Sequence, residues 1–128
     1  MEPVPFLLVD DLEENLLSLD ALLRQDDLLL LKARSGDEAL ELLLEHDVAL
    51  ALIDVQMPGL DGFELMRRLK RDRAAAPVAV ALSASASLDD ARRALEAGFS
   101  VHVAKPIGTS DLVETVRAVA PPASVRSR

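Results

Sequence analysis

Asp54 closes an apolar stretch, Val48-Ala-Leu-Ala-Leu-Ile-Asp54, and a turn containing Pro58 and Gly59 follows it. Asp10-Asp11 follows Phe6-Leu-Leu-Val, Ser83 follows Val78-Ala-Val-Ala-Leu, and Lys105 follows Ser100-Val-His-Val-Ala. Carboxylates, a hydroxyl and an ammonium, each at the end of a short apolar run, are the groups in this chain that could do chemistry. Carboxylates brought to one place repel: at ~4 Å and an effective dielectric of about 20, each pair costs about 4 kcal/mol. Such a pocket holds protons or a hard cation. With oxygen ligands and neither His nor Cys in the set, Mg²⁺ is favoured, or Mn²⁺, over zinc. A divalent cation, an ammonium and a hydroxyl around one carboxylate suit a group that accepts phosphoryl, because developing oxygen charge is met from several sides.

Taken singly, these residues have plainer explanations. Adjacent acids after a strand suit the start of a helix, a Ser there is a turn or cap residue, and Lys-Pro reads as a loop. Their common placement depends on the elements that carry them. Apolar runs at 6–9, 28–33, 48–54, 78–82 and 100–104 have strand length, and Lys32 inside the second predicts a position near a sheet edge. Between them lie helical patterns. Glu13 to Arg24 carries Leu16, Leu19 and Leu23 on one side. Ser35-Gly-Asp-Glu38 matches a capping box before Leu40, Leu43 and Leu44. Asp61-Gly62 opens a helix with Phe63, Met66 and Leu69 along one side, and its last turns carry Arg67, Arg68, Lys70 and Arg71, a basic end that complements the helix dipole. Ser87-Leu-Asp-Asp90 caps a helix bearing Ala91, Ala94 and Leu95 that stops at Gly98. The last helix, from Ser110 or Asp111 to Ala120, carries Leu112, Val116 and Val119 and ends at Pro121-Pro122.

Five strands alternating with five helices predict an α/β fold with a doubly wound five-stranded parallel sheet. In such a sheet all the strands end on one edge, where ligands bind. Asp10, Asp11, Asp54, Ser83 and Lys105 can therefore converge although they are far apart in the chain. Residues 1–122 are expected to form one domain, with 123–128 a flexible tail or the start of a linker.

Composition narrows the partners. The 128 residues make one ordinary domain. A net charge of −8 and 2% aromatic residues, with neither Trp nor Tyr, argue against direct nucleic-acid binding. No apolar run reaches membrane-spanning length without a charge, and Met-Glu-Pro-Val-Pro does not resemble a secretory signal. With zero cysteines there are no disulfides, zinc-thiolate sites or thiol chemistry. A cytoplasmic protein with no membrane contact is the expectation.

From about Phe6 to Ala120 the chain resembles the receiver domains of bacterial response regulators and hybrid histidine kinases, a CheY-like family. The resemblance rests on Asp54-x-x-Met57-Pro58-x-x-Asp61-Gly62, on Asp10-Asp11, on Ser83-Ala84 and on Lys105-Pro106, in the family's order and spacing. It implies a flavodoxin-like sheet with strand order 2-1-3-4-5. It also implies that Asp54 accepts phosphoryl from a histidine kinase or histidine phosphotransfer protein. Asp11 would bind Mg²⁺ directly, Asp10 mainly through a metal-bound water, and Asp54 and the Gln56 carbonyl would complete the set. Ser83 and Lys105 would hold phosphoryl oxygens, Ala84 would leave the phosphoryl group open to approach, and the Lys105-Pro106 peptide would be cis.

Ser83 and the residue at the position of His102 would form the switch. That position commonly carries Tyr or Phe, so a smaller, polar side chain is a departure. Gln56 would tune the lifetime of the phosphorylated state. The segments Asp11-Leu-Glu-Glu-Asn-Leu16 and Ala97 to Pro106 look most like receivers attached to histidine kinases.

The chain is thus expected to be a phosphoryl acceptor and not a turnover enzyme. An aspartyl-phosphate phosphatase would commonly carry a second acid two residues after the nucleophile, where Gln56 stands here, and a cap insertion is missing. A receiver-shaped interaction module that works without phosphate is the other alternative, against which the complete motif set weighs. Arg92, Arg93, Asp89, Asp90, Asp111 and Arg117 could form a symmetric salt-bridged contact or an ordinary solvated face; a monomer or weak homodimer is expected.

Overall fold

Strands β1 (Val4–Val9), β2 (Leu28–Ala33), β3 (Leu50–Asp54), β4 (Val78–Ser83) and β5 (Val101–Ala104) form one parallel sheet in the order β2-β1-β3-β4-β5. The structure is a computed structural model that describes residues 3–57, 59, 61–72, 77–83, 88–104 and 114–116. Helices α1 (Glu13–Leu23), α2 (Gly36–Glu45), α3 (Gly62–Asp72) and α4 (Leu88–Ala97) connect the strands. Residues Glu114–Val116 are helical where the fifth helix is predicted. The doubly wound α/β fold and its 2-1-3-4-5 order are as the sequence and the resemblance lead one to expect.

Helices on both faces explain the strand compositions. β3 is buried at every position because it lies in mid-sheet under both helical layers. β2 pairs only with β1, so it is an edge strand, and Lys32 keeps its exposed position there. Successive strand residues face opposite sides. Leu7, Val9, Ile53 and Ala81 pack against Ala39, Leu43, Met66 and Ala94 from α2, α3 and α4. Phe6, Leu8, Leu52 and Leu82 pack against Leu16, Leu19 and Leu23 of α1, with Val116 beside them. Each such leucine contributes about 1.5–3 kcal/mol by leaving water.

Helix boundaries follow the capping signals. The Glu38 N–H donates to Ser35 Oγ at 3.1 Å, and Glu38 Oε1 accepts the Arg34 N–H at 2.8 Å, one residue before the N–H that a capping box uses. The Glu64 N–H donates to Asp61 Oδ1 at 2.9 Å, so Asp61 caps α3. Gly98, at φ +117°, ends α4 in a conformation that favours glycine. The basic end of α3 is solvated: Arg67 and Arg68 each reach back to Glu64 at 3.4 Å.

Two helix faces differ from expectation. In α2 the buried face is Gly36, Ala39 and Leu43, while Leu44 is 83% exposed. In α4 it is Ala94 and Ala97, and Leu95 is 59% exposed. In α2 the exposed leucine directly follows buried Leu43 and in α4 it directly follows buried Ala94, about 100° further round and outside the contact.

Candidate functional site

The sheet register brings the strand ends into adjacent rows. Asp54 is the last residue of β3 and pairs with Leu82; Ser83, last in β4, pairs with Ala104. Asp10 follows β1, and its N–H donates to the Ala33 carbonyl at 3.1 Å. Asp10 continues the Phe6–Leu8 row and Asp54 the Leu50–Leu52 row, so alternation directs both toward the side that carries α1. Asp10 and Ser83 are fully buried and Asp54 is 4% exposed. Three of the groups singled out in the sequence therefore lie inside the protein at one sheet edge.

Buried carboxylates need hydrogen bonds or counter-charge. Asp10 Oδ1 accepts the Leu12 N–H at 3.0 Å, and Oδ2 accepts the Asn15 side-chain amide at 3.2 Å. Asp54 Oδ1 accepts the Gln56 N–H at 3.0 Å. This turn carries the chain out of β3 and fixes the Asp54 carboxylate to the loop that follows it. The Val55 N–H continues the ladder for one more bond, to the Leu82 carbonyl at 3.0 Å.

Half-buried Asp11 joins Asp10 and Asp54 in a cluster whose carboxylate oxygens, one from each residue, lie within 4.8 Å of one another. The separation and the oxygen donors fit a hard divalent cation of the Mg²⁺ class. The Gln56 backbone adjoins the cluster through its bond to Asp54, and its side chain is exposed. A depression next to it is lined by Gln56, Met57, Asp61, Phe63, Asp90 and Arg93.

His102 pairs with Ala81 in the β4–β5 register. It therefore shares a sheet face with Ser83, two residues beyond Ala81. It is half-buried, and its buried Nε2 has no hydrogen-bond partner among the described residues. Pro58, Ala84, Ser87, Lys105, the Lys105-Pro106 peptide, Ser110, Asp111, Leu112, Arg117, Val119 and the tail 123–128 lie outside the described residues.

Asn15 escaped the sequence reading. The usable signal was its position on the first turn of α1, five residues beyond Asp10. Asp20 escaped too: it is 4% exposed inside α1. The Lys32 ammonium, from β2, contacts Asp20 Oδ2. A guanidinium nitrogen of Arg24 lies 2.7 Å from Oδ1, without hydrogen-bond geometry. The hydrogen bond from Lys32 holds the Asp20 carboxyl below its ordinary pKa of 3.8, and burial opposes that shift.

Among the described residues no helix is long and apolar enough to cross a membrane. The sequence profile of the response regulator receiver domain matches residues 6–117. The polar-differentiation response regulator DivK of Brucella ovis is 32% identical over 112 residues, covering 87% of this chain and 91% of DivK. The haem response regulator HssR of Staphylococcus aureus is 41% identical over 85 residues, 66% of this chain and 37% of that longer protein. Among solved structures, the chain is similar to the Saccharomyces cerevisiae Ssk1 receiver domain, crystallised with the histidine phosphotransfer protein Ypd1, at a TM-score of 0.85 and 26% identity. That match covers 98% of this chain and 94% of the other. Vibrio cholerae CheY4, at 22% identity and a TM-score of 0.82 over 91% of this chain and 98% of its own, shares the fold. With its acids gathered at the edge of a 2-1-3-4-5 sheet and the profile spanning nearly its whole length, the chain belongs to the response regulator receiver domain family of two-component signalling.

Proposed function

We propose that Asp54 accepts a phosphoryl group from a phosphohistidine on a histidine kinase or histidine phosphotransfer protein, in an Mg²⁺-dependent reaction. The observation that carries this reading is the meeting of the Asp10, Asp11 and Asp54 carboxylates within 4.8 Å at the sheet edge. An Asp54 carboxylate oxygen forms the new bond to phosphorus as the phosphorus–nitrogen bond breaks, and the imidazole leaves. Asp10, Asp11, Asp54 and the Gln56 carbonyl are the groups that would hold Mg²⁺. When bound, Mg²⁺ supplies positive charge against the phosphoryl oxygens. Asn15 and the Leu12 N–H keep Asp10 oriented. The Gln56 N–H orients the acceptor. Ser83 and Lys105 are assigned to the phosphoryl oxygens.

Similarity to a receiver crystallised with a phosphotransfer protein supports that class of partner. The chain is an acceptor that returns or loses its phosphoryl group, not a turnover enzyme, and acts in the cytoplasm. Phosphorylation adds about −1.5 to −2 charge, by analogy with other phosphorylated side chains, and shifts an existing inactive–active equilibrium through Ser83 and His102. Arg92 and Arg93 pair with Asp89 and Asp90 inside α4, at 2.7 and 3.8 Å, which favours a monomer over a salt-bridged dimer.

Incubation with Mg²⁺ and a small phosphodonor, followed by phosphate-affinity electrophoresis, tests the assignment. The wild-type chain is expected to shift and Asp54→Asn to remain unshifted. Equal labelling of the two removes Asp54 from the role.

A further inference from the structure

We propose that Gly62 is a positioning residue for the acceptor site: its lack of a side chain lets the end of β3 place Asp54 and Gln56 correctly. This rests on the function proposed above. A Cβ at Gly62 would lie 2.6 Å from the Asp54 carbonyl oxygen, 2.7 Å from Val55 Cα and 3.0 Å from Ile53 Cγ2. Ordinary contacts of this kind begin near 3.4 Å, so something must move. Two of the three atoms are backbone, and both belong to the segment that carries the acceptor. Gly62 does not have a positive φ, so its requirement is for space and not for backbone freedom.

The direction of movement follows from how each side is anchored. α3 is pinned through its first turns. Asp61 caps it at the Glu64 N–H, and Leu65 and Met66 are fully buried. Phe63, 4% exposed, meets Phe99 edge-on with centroids 6.4 Å apart. The Arg93 guanidinium lies 4.4 Å over the Phe63 ring. The strand side is at its last ladder bond, Val55 N–H to Leu82 carbonyl, and then turns. An added methyl therefore displaces Asp54 and Val55 more than α3. The Gln56 N–H is tied to the Asp54 carboxylate, so both proposed metal-binding groups of this segment shift together. Helix propensity favours Ala over Gly, so propensity does not account for a loss on substitution.

The test compares Gly62→Ala with Gly98→Ala in the full chain. Gly98, at φ +117° with Lys70 against it, follows the C-terminal end of α4 and strains any side chain placed there, so its substitution controls for general destabilisation. At a temperature where circular dichroism shows each variant folded, Gly62→Ala is expected to bind Mg²⁺ and accept phosphoryl at least about tenfold less well. In metal-free protein its Asp54, Val55 and Gln56 amide resonances are expected to shift. Gly98→Ala is expected to melt lower while keeping wild-type Mg²⁺ affinity. Unchanged Mg²⁺ affinity and unchanged amides in Gly62→Ala overturn the proposal. Should that variant not fold, an Mg²⁺ titration of the wild type decides. The Gly62 amide, bonded to the Val55 carbonyl at 3.4 Å, is expected to move and the Gly98 amide to stay; a stationary Gly62 amide overturns the proposal. Failure of the wild type itself to accept phosphoryl counts against the function, while the amide and Mg²⁺ measurements still judge Gly62.

Discussion

Asp20 and Asp54 are equally buried, each 4% exposed, but the charged groups described around them differ in sign. Asp20 meets cations: Lys32 from the neighbouring edge strand and Arg24 one turn along α1. Among the described residues, Asp54 is joined by acids, with Asp10 and Asp11 carboxylate oxygens within 4.8 Å. One arrangement joins α1 to β2 and stabilises the fold. The other gathers acids at a sheet edge, a set of oxygen donors that could hold a cation. Burial alone therefore does not tell two aspartates apart; the charges that the tertiary fold sets beside them do.

Removing an acid should have opposite effects at the two places. The largest change is expected for Asp11→Asn, which should weaken Mg²⁺ binding by about a hundredfold, or about 2.7 kcal/mol. The same substitution should raise the metal-free melting temperature slightly, because it removes repulsion worth up to about 1 kcal/mol after solvent screening. Calorimetric titration and thermal melts read the two effects; a lower metal-free melting temperature would break the contrast.

Asp20→Asn should do the reverse. It is expected to lose about 1–3 kcal/mol of stability in urea unfolding, less than a fully buried pair because the Lys32 and Arg24 heads reach water. Mg²⁺ affinity should be unaltered. The pH dependence carries its own sign. The folded-state pKa of Asp20 is depressed, so its contribution is complete above the ordinary value of 3.8 and is lost as pH falls through the lower folded value. The stability gap between wild type and Asp20→Asn should therefore be widest near neutrality and close in acid below 3.8. The smallest effect is expected for Arg24→Ala, about 0.5 kcal/mol, because that side chain is 75% exposed. A loss as large as that of Asp20→Asn would make Arg24, not Lys32, the principal partner.

The two regions also differ in how well they could be read beforehand. Strand-end acids are visible because an apolar run stops at a charge, and parallel topology then places them together. Asp20 lies among Leu16, Leu19 and Leu23 on the buried side of α1, where periodicity alone marks no acid as buried. Its counter-charge, Lys32, showed only as an interruption in β2. Leu44 and Leu95 were misassigned because each directly follows a buried apolar residue, Leu43 or Ala94, and an apolar pattern does not fix which of two adjacent residues faces the sheet. Asn15 and Gly62 sat in plain view, but the hydrogen bond of one and the close approach of the other appear only when two elements meet.

Sequence alone determined the alternation of strands and helices, the caps at Ser35 and Asp61, the stop at Gly98 and the groups at the strand ends. These are local matters of periodicity, backbone preference and hydrogen bonding within a few residues. Among the described residues, tertiary structure decided which acids gather and which meet cations, and which of two adjacent apolar residues is buried. It also decided how closely Gly62 of α3 approaches the end of β3. Those depend on distances between elements far apart in the chain, which no local pattern encodes.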